Sequence, residues 1–228
     1  MLTVGARHQA YLADHVVFGR VVVPGAYHVA VALAVGAAQW PDSALEVSDV
    51  ELLRPVTIGP GEQAELHVMM AREEQGEAYQ FEVATYSKDE EVWSTHARGR
   101  IAPGGSEATG LPAPSELEAE AREEVDVATV FDGLSAANVQ WGPQWRWMRN
   151  GRKSARGAVA ELAPPYAGAH GAGPLHPGLL DNGFGVALLA MPGRGQDGTP
   201  FLPFAIQRLR WLRIPVGAVR CGALPRGE

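Results

Sequence analysis

The chain has 228 residues, of which 46% are hydrophobic, 7% aromatic and 20% charged, with a formal net charge of −7. That suits one large domain or two small ones sharing a core, and it is too apolar for a chain disordered throughout. The negative balance excludes general nucleic-acid binding, no apolar run approaches the roughly 18 residues that span a bilayer, and one cysteine, Cys221, excludes an internal disulfide.

The N-terminal stretch MLTVGARHQAYLADH lacks the charged-then-apolar layout of a secretory signal, so a reducing cytoplasm is the expected setting. PGAYHVAVALAVGAAQW (24–40) then predicts a buried helix, apolar nearly all round and opening at Pro24. EVSDVELLRPVTI (46–58) predicts a strand ending near Pro55, followed by strands at 64–70, 79–86 and 92–101. In YQFEVATY, Phe81, Val83 and Thr85 alternate with Glu82, Ala84 and Tyr86 at strand period. Residues 103–125 combine Pro, Gly and Ser with a run of Glu, a composition unable to build core. They predict an exposed linker with one surface helix, capped by Ser115 and Glu118. The second half repeats the plan: an apolar helix over HPGLLDNGFGVALLAM (176–191), then strands at 199–215 and 218–224. The organisation read from this is 1–102 as one half, 103–125 as linker and 126–228 as the other half.

Two short segments carry the chemistry. In DHVVFGRVVVPGAYHVAVAL (14–33), a histidine lies just before the start of the first buried helix. An imidazole titrates near neutrality and can serve as a general base. The free N–H groups at the helix start, from Gly25 onward, can hold an oxygen as negative charge builds on it. In LHPGLLDNGFG (175–185), Asp181 falls about one turn into the second buried helix. An apolar setting favours its protonated, acidic form, whereas the helix N-terminus opposes this. Taken singly, His15 also reads as a loop histidine beside a tight turn, and Asp181 as a carboxylate held by a helix dipole.

Together they read differently. The skeleton His15, Gly19, Pro24 resembles the HxxxGxxxxP signature of the dehydratase domains of polyketide and fatty acid synthases. Pro177 and Asp181 resemble the HPxxLD stretch of that family, and LPFAI (202–206) its LPF segment. The resemblance implies an α+β double hot-dog fold, each half an antiparallel sheet around a buried helix. It implies a hydro-lyase that eliminates water from a β-hydroxyacyl thioester, with His15 as base and Asp181 as acid. Pro24, Gly25, Gly19, Trp141, Gly185 and Pro177 would border the substrate. No metal and no cofactor are implied beyond the phosphopantetheine of an acyl carrier protein that carries the substrate. The partners implied are that carrier, neighbouring synthase domains and a second copy in a homodimer, with neither nucleic acid nor membrane. Family members also carry further strands before the histidine motif and after the LPF strand, so the sheet edges here are expected to be open unless covered.

The chain departs from the family in two places. The pattern DxxxQ or DxxxH ends here in Gly185, which cannot hydrogen-bond Asp181 from the same helix face. This predicts either close packing of the helix or a roomier pocket with a looser acid. WGPQW (141–145) stands where the family has YGPxF, so Trp141 brings an indole N–H in place of a phenol. Both departures suit dehydratase-like pyran-forming cyclases or double-bond isomerases, which keep the fold and the pair. A non-catalytic module of the same fold is a third reading. Finally, Arg146, Arg149, Arg152, Lys153 and Arg156 form a basic cluster in an acidic chain, either solvated strand ends or a docking patch for the carrier protein.

Overall fold

The computed structural model describes residues 1–104, 110, 112–169, 173–191, 200 and 202–225. Helix α1 (Gly25–Gln39) starts after extended Pro24 and is buried at every residue from Ala26 to Leu33. This matches a sequence with no polar stripe to turn toward water. It ends at Trp40, because Pro41 disfavours helical backbone in the residue before it. A Cβ at Gly36 would lie 2.5 Å from Ile101 Cδ1, so glycine lets the helix approach its sheet closely.

That sheet is antiparallel and six-stranded, in the order β1 (Leu2–Val4), β6 (Ala64–Arg72), β7 (Tyr79–Ser87), β8 (Val92–Pro103), β4 (Leu45–Leu52) and β13 (Ala205–Trp211). Phe81 and Val83 are buried, as the alternation predicts, and a register shift after Val83 buries Ala84 as well. The strand expected to end near Pro55 does so, and the residues after the proline form a separate one. β4 ends at Leu52, and β5 (Val56–Ile58) joins another sheet. Between them, Leu53 N–H donates to the His96 carbonyl, and Pro55 has no N–H with which to continue a ladder.

Helix α4 (Pro177–Leu189) lies under the second large layer, ordered β14 (Val219–Ala223), β12 (Ala158–Leu162), β11 (Met148–Lys153) and β9 (Glu123–Val125). A third sheet, β10 (Val139–Trp141), β2 (His15–Val17), β3 (Arg20–Val23) and β5, joins the layers. The two buried helices touch each other, giving an α+β double hot-dog. The halves interlock, since β13 pairs with β4 and β10 pairs with β2.

Part of the segment read as an exposed linker builds structure. Helix α2 (Pro114–Glu120) buries Leu117 against β12 and β14, and β9 pairs with β11. Residues 105–109 and 111 lie outside the described residues. The capping box read at Ser115 and Glu118 does not form, because the helix begins earlier, at Pro114 after Ala113; Glu118 pairs with Arg220 instead. Helix α3 (Ala128–Ala136) packs on β10. Among the described residues, no helix is long and apolar enough to cross a membrane.

Candidate active site

His15 opens β2, and the β2–β3 hairpin fixes its ring. Phe18 and Gly19 both take positive φ, 47° and 74°, in the tight turn that folds β3 back on β2. This places the Val22 carbonyl 2.8 Å from His15 Nδ1. A carbonyl only accepts, so Nδ1 carries the hydrogen and Nε2 is left with its lone pair. Gly19 sits in this turn and is not among the residues that line the cavity, although its neighbours Phe18 and Arg20 are.

Trp141 of β10 sits opposite His15 in the strand register. Asp14 fastens the turn that follows. Its backbone carbonyl accepts from Gly142 N–H at 2.8 Å, and its carboxylate accepts from Gln144 N–H at 2.6 Å. A Cβ at position 142 would stand 2.4 Å from the Asp14 carboxyl carbon, which is why glycine is needed there. The turn delivers Trp145, wholly buried, with its ring 5.1 Å from that of His15. Its indole N–H donates to Asp181 Oδ2 at 2.9 Å.

Asp181 projects from α4 and is itself buried. Pro177 starts this helix, and His176 caps it: Nδ1 accepts from Gly178 N–H, while Nε2 meets the Tyr166 hydroxyl at 3.0 Å. Pro177 is thus a helix starter and does not line the cavity. Asn182 sutures the helix to the tryptophan segment. Its Oδ1 accepts from Trp147 and Met148 N–H groups, and its Nδ2 donates to the Trp145 and Gly178 carbonyls. Burial raises the Asp181 carboxyl above the ordinary carboxylate range, with His15 and the Trp145 indole pulling the other way. His15 Nε2 and Asp181 Oδ2 are 3.7 Å apart. Both line a cavity of about 500 Å³, together with Pro24, Gly25, Trp141 and Gly185. Gly25 belongs to the first turn of α1, whose N–H groups have no partner within the helix.

A family model described as "Polyketide synthase dehydratase domain" matches residues 2–86, and one described as "Polyketide synthase dehydratase N-terminal domain" matches 109–224, half of the chain by itself. The chain belongs to the polyketide synthase dehydratase family. It is 32% identical over 203 residues to the spectinabilin polyketide synthase system protein NorB of Streptomyces orinoci, covering 86% of this chain and 9% of that protein. To the erythronolide synthase EryA2 of Saccharopolyspora erythraea it is 30% identical over 229 residues, covering 96% of this chain and 6% of that one. The chain thus spans less than a tenth of the length of either relative. Among solved structures, the dehydratase domain from the CurF module of the curacin polyketide synthase superposes with a TM-score of 0.89 at 23% identity, covering 99% of this chain and 82% of that one. A structure from work on substrate selection in the borrelidin and fluvirucin polyketide synthases has a TM-score of 0.78 at 27% identity, over 96% and 75%.

Within this chain, the departures at Trp141, Trp145 and Gly185 form one unit. A Cβ at Gly185 would lie 3.2 Å from Trp141 Cη2 and 3.3 Å from Met148 Cε. The larger indole occupies the space a Gln or His side chain would need, so the roomier pocket expected at Gly185 is absent there. Nor is the acid loose: the donor missing from residue 185 is replaced from across the site by Trp145. Trp145 stood out in the sequence only as part of WGPQW, although its own indole N–H was the available signal. It also passed over Asn182 and Asp14, whose neighbours drew the attention.

The basic cluster is largely engaged nearby. Arg152 pairs with Glu124, Lys153 with Glu123 and Arg156 with Glu120, at 3.5, 2.9 and 2.7 Å. The Arg146 Nε donates to the Trp141 carbonyl, and its guanidinium lies over Phe131. Such surface pairs stabilise little, but the paired carboxylates cancel much of the cluster's field.

Proposed function

We propose that this chain eliminates water from a β-hydroxyacyl thioester carried on the phosphopantetheine of an acyl carrier protein. The observation that carries this is the His15 Nε2–Asp181 Oδ2 approach of 3.7 Å in the wall of one cavity that also holds the α1 N-terminus. Nε2 takes the proton from the α-carbon as the carbonyl oxygen gains charge against the Gly25 N–H. The electron pair forms the α,β double bond, the β-carbon–oxygen bond breaks, and the Asp181 proton leaves with the hydroxyl as water. The proton now on His15 returns to Asp181, restoring both groups. Trp141, whose buried indole N–H has no partner, is placed to donate to a substrate oxygen.

The carrier protein is taken to dock at the cavity mouth and not along residues 146–156. Exposed Arg20 and Arg54 stand there beside exposed Phe18 and Phe204, a basic and apolar rim suited to a phosphopantetheine arm and an acidic carrier.

The deciding experiment uses a synthetic β-hydroxyacyl pantetheine thioester with a distal hydroxyl. The expected product is the conjugated enoyl thioester, lighter by one water, identified by NMR. A cyclic ether of the same mass would replace simple dehydration by ring closure, and unchanged substrate would reduce the domain to a non-catalytic module.

Trp145 supplies a further test. Trp145→Phe keeps an aromatic ring and removes the donor to Asp181. The expected loss is about tenfold in kcat with KM little changed, the worth of one hydrogen bond. That bond favours the ionised carboxylate, so its removal raises the Asp181 pKa further and moves the alkaline limb of the rate profile to higher pH. A variant that lost rate without moving that limb would make Trp145 merely structural.

A further inference from the structure

Just past its first residues, α1 brings into the cavity wall a polar side chain that the elimination does not use. His28 lies on α1, three residues beyond Gly25 and therefore about 4.5 Å further along the helix axis. It lines the cavity, is only 2% exposed, and its Nδ1 has no hydrogen-bond partner. The same cavity is lined in part by apolar side chains, among them Val23, Leu52, Leu134, Phe184 and Leu188. A buried polar atom without a partner is costly, and a leucine would fill such a place without that cost.

The neighbouring His96 shows the contrast. It also lines the cavity, its ring parallel to that of His28 at 6.4 Å, but both its nitrogens are engaged. Nδ1 donates to the Arg54 carbonyl at 3.1 Å, and Nε2 accepts from the Thr85 hydroxyl at 2.8 Å. His96 is therefore fixed in tautomer and orientation, and the free hydrogen-bonding capacity of the pair belongs to His28.

We infer that His28 is a second polar subsite of the acyl chamber, where it hydrogen-bonds a hydroxyl on the substrate chain beyond the β-carbon. The inference rests on the acyl-thioester reading of the cavity. Burial and the nearby His96 lower the His28 pKa to about 4, so the ring is neutral at neutral pH and offers one donor and one acceptor. A hydroxyl answers both roles, whereas a charged group would have to shed its water against an apolar wall. The thioester carbonyl sits at Gly25 and the β-carbon between His15 and Asp181, so an oxygen reaching His28 belongs to a more distal carbon.

The test is a binding measurement on the intact chain. Three acyl pantetheine amides, saturated at the α and β carbons so that none can eliminate, carry a hydroxyl on the fifth carbon, on the seventh, or none. Titration calorimetry is expected to find one hydroxylated ligand about tenfold tighter than the plain one. In His28→Leu that advantage should shrink to within about twofold while the plain ligand binds at least as well. Equal binding of all three to the natural chain overturns the subsite and leaves the acyl site standing, and so does an advantage that survives His28→Leu. If even the plain ligand does not bind, the acyl-site reading falls and this inference with it. The comparison among ligands on the natural chain needs no variant to fold.

Discussion

Exchanging His15 for alanine is expected to lower the elimination rate about a thousandfold or more, with binding of the acyl thioester little changed. The ring is held by the Val22 carbonyl on one side and brings Nε2 to 3.7 Å from Asp181 Oδ2 on the other. Asp181→Asn should lose a comparable factor. An asparagine can still accept the Trp145 indole N–H but has no acidic proton to give. Because the two act in one event, the double variant should be little worse than either single one. Steady-state kinetics on a β-hydroxyacyl pantetheine thioester decide this, and retention of a tenth of the rate by either single variant would refute the assignment. The pH profile carries a sign as well. Asp181 works protonated, so rate falls on the alkaline side as it ionises. Burial raises the Asp181 pKa and so extends the active window upward from the ordinary carboxylate range.

The second large effect is on stability. Asn182→Leu keeps the branching and the number of heavy atoms but removes four hydrogen bonds at a side chain with no solvent exposure. The N–H groups of Trp147 and Met148 lose their acceptor where water does not reach. Each such orphan costs about 1–3 kcal/mol, so a loss of roughly 3–5 kcal/mol is expected in urea denaturation. A loss under about 1 kcal/mol would show that the suture is dispensable. Activity should fall as well, since Asn182 holds the Trp145 backbone that carries the donor to Asp181.

The readable part of this molecule was the part with long-range regularity. Both buried helices, β6, β7 and β8 follow from apolar runs and strand alternation, and the base and acid follow from two motifs in the right order. Short strands were not legible. β11 reads MRNGRK and β9 reads EEV, with no alternation to mark them, and both are held by pairing with neighbours distant in sequence. Pro55 marked the end of β4 to within a few residues, but β5 after it, three residues long, was too short to stand out. Within the site, periodicity is silent about hydrogen bonds across elements. The Asp14–Gln144 and Trp145–Asp181 contacts join positions 130 and 36 residues apart. Gly185 was recognised as a departure, but its meaning depended on Trp141, which only the packing brought beside it.

The pairing of β10 with β2 and of β13 with β4 bears on recombination. A chimera that took its first half from one synthase and its second from another would inherit the base from one parent and the tryptophan segment and acid from the other. Its crossover would also part Asp14 from the turn it fastens. Viable exchanges should therefore transplant residues 14–17 together with 139–145, and 45–52 together with 205–211, as matched seams.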